Sequence, residues 1–236
     1  MVLAAAAGQA QTDTRRSGFD FKSPATQALQ KDDTQNPAFL WLQAGQQRFE
    51  ADCVRCHSSG SLRGVAASYP AWDAALSRPL TLSARINSCQ QRHVKAPPLA
   101  PEAQALLGLE LFVAHQSRGL PITPSAHARM AAVRAQGQSL YTQRLGQLDL
   151  SCAQCHDRHA GDRLGGSTIP QAHPTAYPIY RLERQGLGSL QRRLRACMSG
   201  VRAEPYAFAS DELTALEAYL MQRAAGMAIE TPGVRP

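Results

Sequence analysis

The sequence predicts a mostly α-helical chain with few strands, in which one small helical domain occurs twice behind an N-terminal arm. Three observations carry this. The motif Cys-x-x-Cys-His occurs at 53–57 and again at 152–156. Each copy follows a helical segment with a glycine four residues before an aromatic, Gly45 and Phe49 in one case, Gly137 and Tyr141 in the other. Each copy is followed by a lone cysteine, Cys89 or Cys197, and then by an apolar helix containing Phe112 or Tyr219 at nearly matched distance.

The elements follow in chain order. Residues 1–12, MVLAAAAGQAQT, resemble the tail of a secretory signal with an A-x-A-like cleavage site, without its basic start. Residues 13–40 are polar and read as an extended arm laid over a domain. From Asn36-Pro37 a helix is expected, because Phe39, Leu40, Leu42 and Phe49 recur at near-helical spacing. The segment 97–119 holds another, with an apolar stripe of Leu106, Leu107, Leu109, Leu111 and Phe112 punctuated by Pro101 and Gly119. RGLPITPSA at 118–126 is a proline-rich joint. This divides the chain into an arm and first domain at 13–120 and a second domain at 121–236. Residues 127–145 look helical and lead into the second motif. Residues 156–178 form a loop rich in Gly, Pro and His, long enough to wrap a cofactor. Helices are expected over 187–197 and from Ser210, where Asp211 and Glu212 occupy the first turn. Leu213, Leu216, Tyr219 and Leu220 stripe that last helix.

Composition narrows the function. The 236 residues are 44% hydrophobic, which excludes a disordered chain, and no apolar run reaches membrane-spanning length. Only 6% are aromatic, a thin supply for a core unless something besides side chains fills it. The formal charge of +7 attracts anions in general, but the basic residues are scattered and do not form a nucleic-acid footprint.

The cysteines choose the class. In C-x-x-C-H, two thiols reach the two vinyl groups of one porphyrin and the adjacent histidine reaches the iron. The sequence therefore predicts two covalent c-type haems, one on Cys53, Cys56 and His57, the other on Cys152, Cys155 and His156. The fold class is then two cytochrome c-like domains related by an internal repeat, with long haem-wrapping loops. A zinc ion held by four thiolates would want the pairs much closer and needs no histidine after each. A thioredoxin-like motif wants a βαβ setting, which neither copy has. Attachment of this kind takes place outside the cytoplasm, so a periplasmic location is expected.

Haem iron needs a sixth ligand unless substrate binds there. No methionine repeats in both halves; Met130 alone stands in a plausible place. The lone cysteines do repeat, and each has an arginine four residues before it, Arg85 and Arg193. One reading is a Cys89–Cys197 disulfide, natural in an exported protein. The other is a thiolate ligand in each half, which the matched positions favour and which would lower both reduction potentials. His93 is a lesser ligand candidate. His159 and His173 read as loop contacts, His115 and His127 as surface, and Trp41, Trp72, Tyr206 and Phe208 as packing.

Three segments resemble one family: the arm SGFDFKSPATQALQKDDTQNPAFLW (17–41), both C-x-x-C-H motifs, and RRLRACMSGVRAEPY (192–206). The chain resembles SoxA, the larger subunit of the SoxAX cytochrome of bacterial thiosulfate oxidation, over nearly its whole length from about residue 17. The resemblance implies that Cys197 ligates the catalytic haem and can exist as a persulfide, that Arg193 is the arginine beside it, and that Cys89 ligates the first haem. It implies a haem-dependent thiotransferase that oxidatively couples thiosulfate to a cysteine of the carrier SoxYZ. Electrons would leave through haem to a small cytochrome c, and a monohaem SoxX subunit would complete the site. The cationic surroundings of Cys197 suit a small dianion: Arg192, Arg193, Arg195 and Arg202 cluster near it in sequence, with Arg193 first and Arg202 second as substrate contacts.

The main rival is a dihaem electron carrier without catalysis, which would want His or Met sixth ligands. A dihaem peroxidase would be longer and would leave one iron open, against which the symmetric cysteines argue.

Overall fold

The computed structural model describes residues 13–236; the signal-like start at 1–12 lies outside the described residues. Helices α1 (Pro24–Lys31), α2 (Phe39–Asp52), α3 (Leu82–Cys89), α4 (Gln104–His115), α5 (Met130–Thr142), α6 (Leu190–Gly200) and α7 (Asp211–Arg223) dominate. Strands are short. β1 (Ala71–Asp73) pairs antiparallel with β2 (Arg78–Leu80), and β3 (Arg163–Leu164) with β4 (Ser167–Thr168). β5 (Ile179–Arg181) lies between antiparallel β6 (Gly186–Gly188) and parallel β7 (Gly233–Arg235).

The repeated glycines explain the repeated helix pairs. In each half the helix before the haem motif crosses the last helix of that half so closely that backbone touches backbone. A Cβ on Gly45 would overlap the Gly108 carbonyl of α4, and one on Gly137 would overlap the Ala215 carbonyl of α7. Only glycine lets two helices meet this way. The aromatic one turn on then packs at the crossing: Phe49 on Phe112 at 5.1 Å between ring centroids, and Tyr141 on Tyr219 at 5.3 Å. Helix α4 is buried nearly all round, Leu106 to Ala114, because it is sandwiched between α2 and the β5–β6 hairpin.

The helix carrying the lone cysteine is built the same way twice. Thr81 Oγ1 accepts from Ala84 N at 3.1 Å to cap α3, and Ser189 Oγ accepts from Arg192 N at 3.1 Å to cap α6. The arginine then follows four residues after the cap and the cysteine eight after, in both copies.

Several expectations need correction. The arm is not wholly extended: Ser23 caps, and Pro24 begins, a two-turn helix, because serine followed by proline is a helix start. Helix α4 begins at Gln104 rather than near Pro101, since Glu102 takes a left-handed turn at φ 63°. Residues 186–188 are strand, so α6 starts at Leu190. The halves also interlock. Tyr180, Leu187 and Val234 join the core built on α2 and α4, while Ala67 packs with Ile122, Ala224 and Ile229. The chain end ties back to the arm, where Gln30 Oε1 accepts from Val234 N at 3.0 Å.

Candidate haem sites and anion cleft

The first C-x-x-C-H motif turns directly off the end of α2, whereas the second follows α5 only after a turn closed by Leu145 and Leu150. The second forms a π-helical turn, Gln154–Arg158, a geometry that is rare outside functional sites. Its histidine is oriented for ligation. His156 Nδ1 lies 2.7 Å from the Pro170 carbonyl, so Nδ1 carries the proton and donates, leaving Nε2 free. Burial pushes the imidazole below its ordinary pKa, keeping it neutral. In the first half, His57 is exposed on its loop.

A polar network braces His156. Arg223 Nη2 pairs with Asp157 Oδ1 at 2.6 Å and donates to the Gln171 carbonyl at 3.3 Å, while Tyr141 Oη donates to Asp157 Oδ1 at 2.9 Å. Arg223 therefore ties the residue after His156 to the residue after Pro170. Burial raises the Tyr141 phenol, so it remains a donor. The matched residues of the first half are Phe49, Ser58 and Gln116, and Gln116 only bonds back to the Phe112 carbonyl of its own helix at 3.3 Å.

The lone cysteines return to their own motifs. Cys89 lies within electrostatic reach of Cys53 and Cys56, and Cys197 of Cys152. Burial pushes the Cys152 thiol up to about 11 and raises Cys53 and Cys89 as well, as expected beside an apolar space. All six cysteines are free, and the two C-x-x-C pairs do not meet as one metal site among the described residues. The donor set of each half, two thiols, an imidazole and a further cysteine, fits a covalently bound haem: Cys152, Cys155 and His156 with Cys197 would hold one, and Cys53, Cys56 and His57 with Cys89 the other. His93 is exposed, His159 pairs with Asp162, His173 bonds the Arg16 carbonyl, and Met130 is buried in α5. His127 stacks on Trp72 as a surface residue, while His115 is half-buried against Phe39.

The arginines expected around Cys197 part company. Arg195 turns to the Pro205 and Tyr206 carbonyls and covers Phe208 at 4.6 Å. Arg202 sits in a left-handed turn at φ 58°, its carbonyl bound by Gln147 N. Arg192 approaches Glu102 at 3.7 Å. Arg193 has no ion-pair partner among the described residues and lines a cleft of about 350 Å³ with Arg181, Arg184 and Arg192. Lys22 lies within electrostatic reach: burial, then the charges of Arg235, Arg193 and Arg181, push its ammonium below the ordinary value. Tyr177 lies within electrostatic reach of both Arg193 and Cys197. The counter-charges are Glu102 and Glu183, so the cleft is net cationic. Arg85 differs sharply from Arg193: it pairs with the Asp73 carboxylate at 2.6 Å and donates to Tyr69 Oη at 3.1 Å. Lys22, Tyr177, Arg181 and Arg184 have no spacing signal in the sequence; the fold brings them from the arm, the loop and the β5–β6 hairpin.

Known proteins agree with this layout. The family profile described as SoxA/TsdA, cytochrome c domain, matches residues 39–122 and 136–229. The L-cysteine S-thiosulfotransferase subunit SoxA of Pseudaminobacter salicylatoxidans is 33% identical, across 100% of this chain and 86% of that protein. The subunit of the same name from Rhodovulum sulfidophilum is 30% identical across 94% and 81%. The crystal structure of SoxXA from P. pantotrophus superposes with a TM-score of 0.91 at 27% identity, covering 94% of this chain and 87% of that one. No helix among the described residues is long and apolar enough to cross a membrane. By its paired haem motifs, its fold and these likenesses, the chain belongs to the SoxA family of cytochrome c-domain proteins.

Proposed function

We propose that this chain is the catalytic subunit of a periplasmic haem-dependent L-cysteine S-thiosulfotransferase, working with a SoxX-type cytochrome. The carrying observation is that Arg193, one helical turn before Cys197 on α6, lines a cleft with Arg181, Arg184 and Arg192. A carrier cysteine thiolate and the sulfane sulfur of thiosulfate form a new S–S bond, and two electrons leave. The product is a cysteine S-thiosulfonate on the SoxYZ carrier. The two haems, when bound, supply the one-electron route outward to a small cytochrome c. Cys197, as thiolate or persulfide, holds the substrate sulfur, and Arg193 holds the sulfonate oxygens through charge-assisted hydrogen bonds. His156, its ring fixed through the Pro170 carbonyl, would hold the second iron together with Cys197. His57 and Cys89 would hold the first in the same way, and there the Asp73 carboxylate takes up Arg85, the arginine matched to Arg193. The first half therefore suits electron storage rather than substrate binding.

The test is Arg193→Ala in the haem-loaded protein with its partner subunit. Losing a charge-assisted contact lowers kcat/KM for thiosulfate roughly 10- to 100-fold, with both haems still attached. Full activity would remove the role and favour a plain dihaem electron carrier.

A further inference from the structure

The two halves align without a gap from the Tyr-Pro pair to the lone cysteine, and at one position an acid in the first faces a base in the second. In the first half the β1–β2 hairpin precedes α3; in the second the β5–β6 hairpin precedes α6. Both begin after a Tyr-Pro pair, Tyr69-Pro70 and Tyr177-Pro178. The last paired residue of the leading strand is Asp73, opposite Arg78, in one hairpin and Arg181, opposite Gly186, in the other. Each stands twelve residues before the arginine of its own cysteine helix, Arg85 or Arg193.

In the first half this position neutralises the helix arginine. Asp73, only 5% exposed, pairs with Arg85, and Tyr69 completes the contact. In the second half the same position carries a guanidinium, Tyr177 stands where Tyr69 stood, and Arg181 and Arg193 line one cleft. Arg181 is only partly satisfied. Its Nη2 pairs with the exposed Glu183 at 2.7 Å, but its Nε is buried with no partner. A buried guanidinium donor left unused beside a second guanidinium favours an anion bound between them.

We propose that Arg181 is a specificity-determining residue that, with Arg193, forms a two-guanidinium clamp for the dianionic substrate, created by exchanging the carboxylate of the first half for a cation. The clamp rests on the proposed thiosulfate chemistry. It assigns substrate binding to the second half by one matched residue: with aspartate there the helix arginine is consumed, and with arginine there it is released.

The experiment uses the full haem-loaded chain with its partner subunit, thiosulfate as probe, and Arg181→Gln, Arg181→Lys and Arg181→Asp. Haem content and the visible spectrum establish that each variant has matured. The parent must first show thiosulfate-dependent reduction; if it does not, the thiotransferase reading itself fails, and the clamp with it. Given an active parent, Arg181→Gln is expected to raise KM about tenfold with kcat little changed, and Arg181→Lys to recover most of that. Arg181→Asp is expected to lose at least 100-fold in kcat/KM, because the new carboxylate pairs with Arg193 as Asp73 pairs with Arg85. Adding Arg193→Ala to Arg181→Asp should then cost little more, a non-additivity that mere loss of packing would not produce. Parent-like KM in Arg181→Gln, or a fall in kcat alone, would overturn the proposal. Where Arg181→Asp does not mature, Arg181→Gln and Arg181→Lys decide it.

Discussion

Gly137→Ala should damage the fold more than any other exchange of glycine for alanine in the second half's helices. The added Cβ would overlap the Ala215 carbonyl oxygen and lie 2.6 Å from its carbon and 2.8 Å from Tyr219 Cβ. Ordinary carbon contacts are about 3.5 Å or longer, so α5 and α7 must separate by about an ångström. Nothing at the contact can rotate away, because two of the three atoms are backbone. The crossing also buries Tyr141, Leu213, Leu216 and Leu220, each 3% exposed or less, so the separation opens a core. Overpacking of this kind costs about 3–5 kcal/mol, at or above the upper range for rigid sites, and the helix gain of alanine over glycine returns about 1 kcal/mol. A net loss of about 2–4 kcal/mol lowers the Tm of a chain this size by roughly 5–15 °C. Helical circular dichroism on the haem-loaded protein measures it. Gly200→Ala is the control, since nothing lies within 4 Å of its added Cβ; it should be neutral or slightly stabilising. A Gly137→Ala melt within 2 °C of the parent would refute the close crossing as the reason for the repeated glycine.

Two further outcomes follow from groups away from the cleft. Glu110 on α4 and Glu217 on α7 line a small pocket with Glu102, Asn87 and Gln191. Burial, then the charges of Glu217 and Glu102, push Glu110 up to about 8, and burial pushes Glu217 up to about 7. The folded chain thus keeps protons that the unfolded chain releases near 4.5, so stability falls as pH climbs from there toward 8. Glu110→Gln should gain roughly 1–3 kcal/mol over the parent at pH 8 and little at pH 4.5; equal melting shifts at both pH values would contradict this. Arg223→Gln unties Asp157 from Gln171 on either side of His156. It should destabilise by about 1–3 kcal/mol and shift the electron paramagnetic resonance signal of one haem while the other keeps its g-values; two unchanged signals would remove that brace.

Much of the architecture was legible because its chemistry is local in sequence. Thioether attachment demands Cys-x-x-Cys-His within five residues, and Arg193 and Cys197 lie one helical turn apart, so both could be read directly. The repeat showed in Gly45 and Gly137 before the reason for it did: the partner atoms, the Gly108 and Ala215 carbonyls, lie far away along the chain. The cationic cluster at 192–202 misled, since residues adjacent on a helix point some 100° apart. Arg195 and Arg202 leave the cleft, while Arg181 and Arg184 enter it from the hairpin. The charge exchange between Asp73 and Arg181 became visible only when hairpin register placed them at equivalent positions. Helix α1 was signalled by Ser23-Pro24, but the polar composition around it reads as loop.

The central proposal is that each half holds one haem through its own cysteines, with Cys197 both serving the second iron and carrying the sulfur chemistry. An intact mass of the naturally matured protein, with peptide mapping of Cys197, tests it most directly. The account predicts two haem additions, a free Cys89, and Cys197 carrying one extra sulfur or none. Two haems with Cys89 and Cys197 joined by loss of two hydrogens would contradict it, because neither sulfur could then serve its iron.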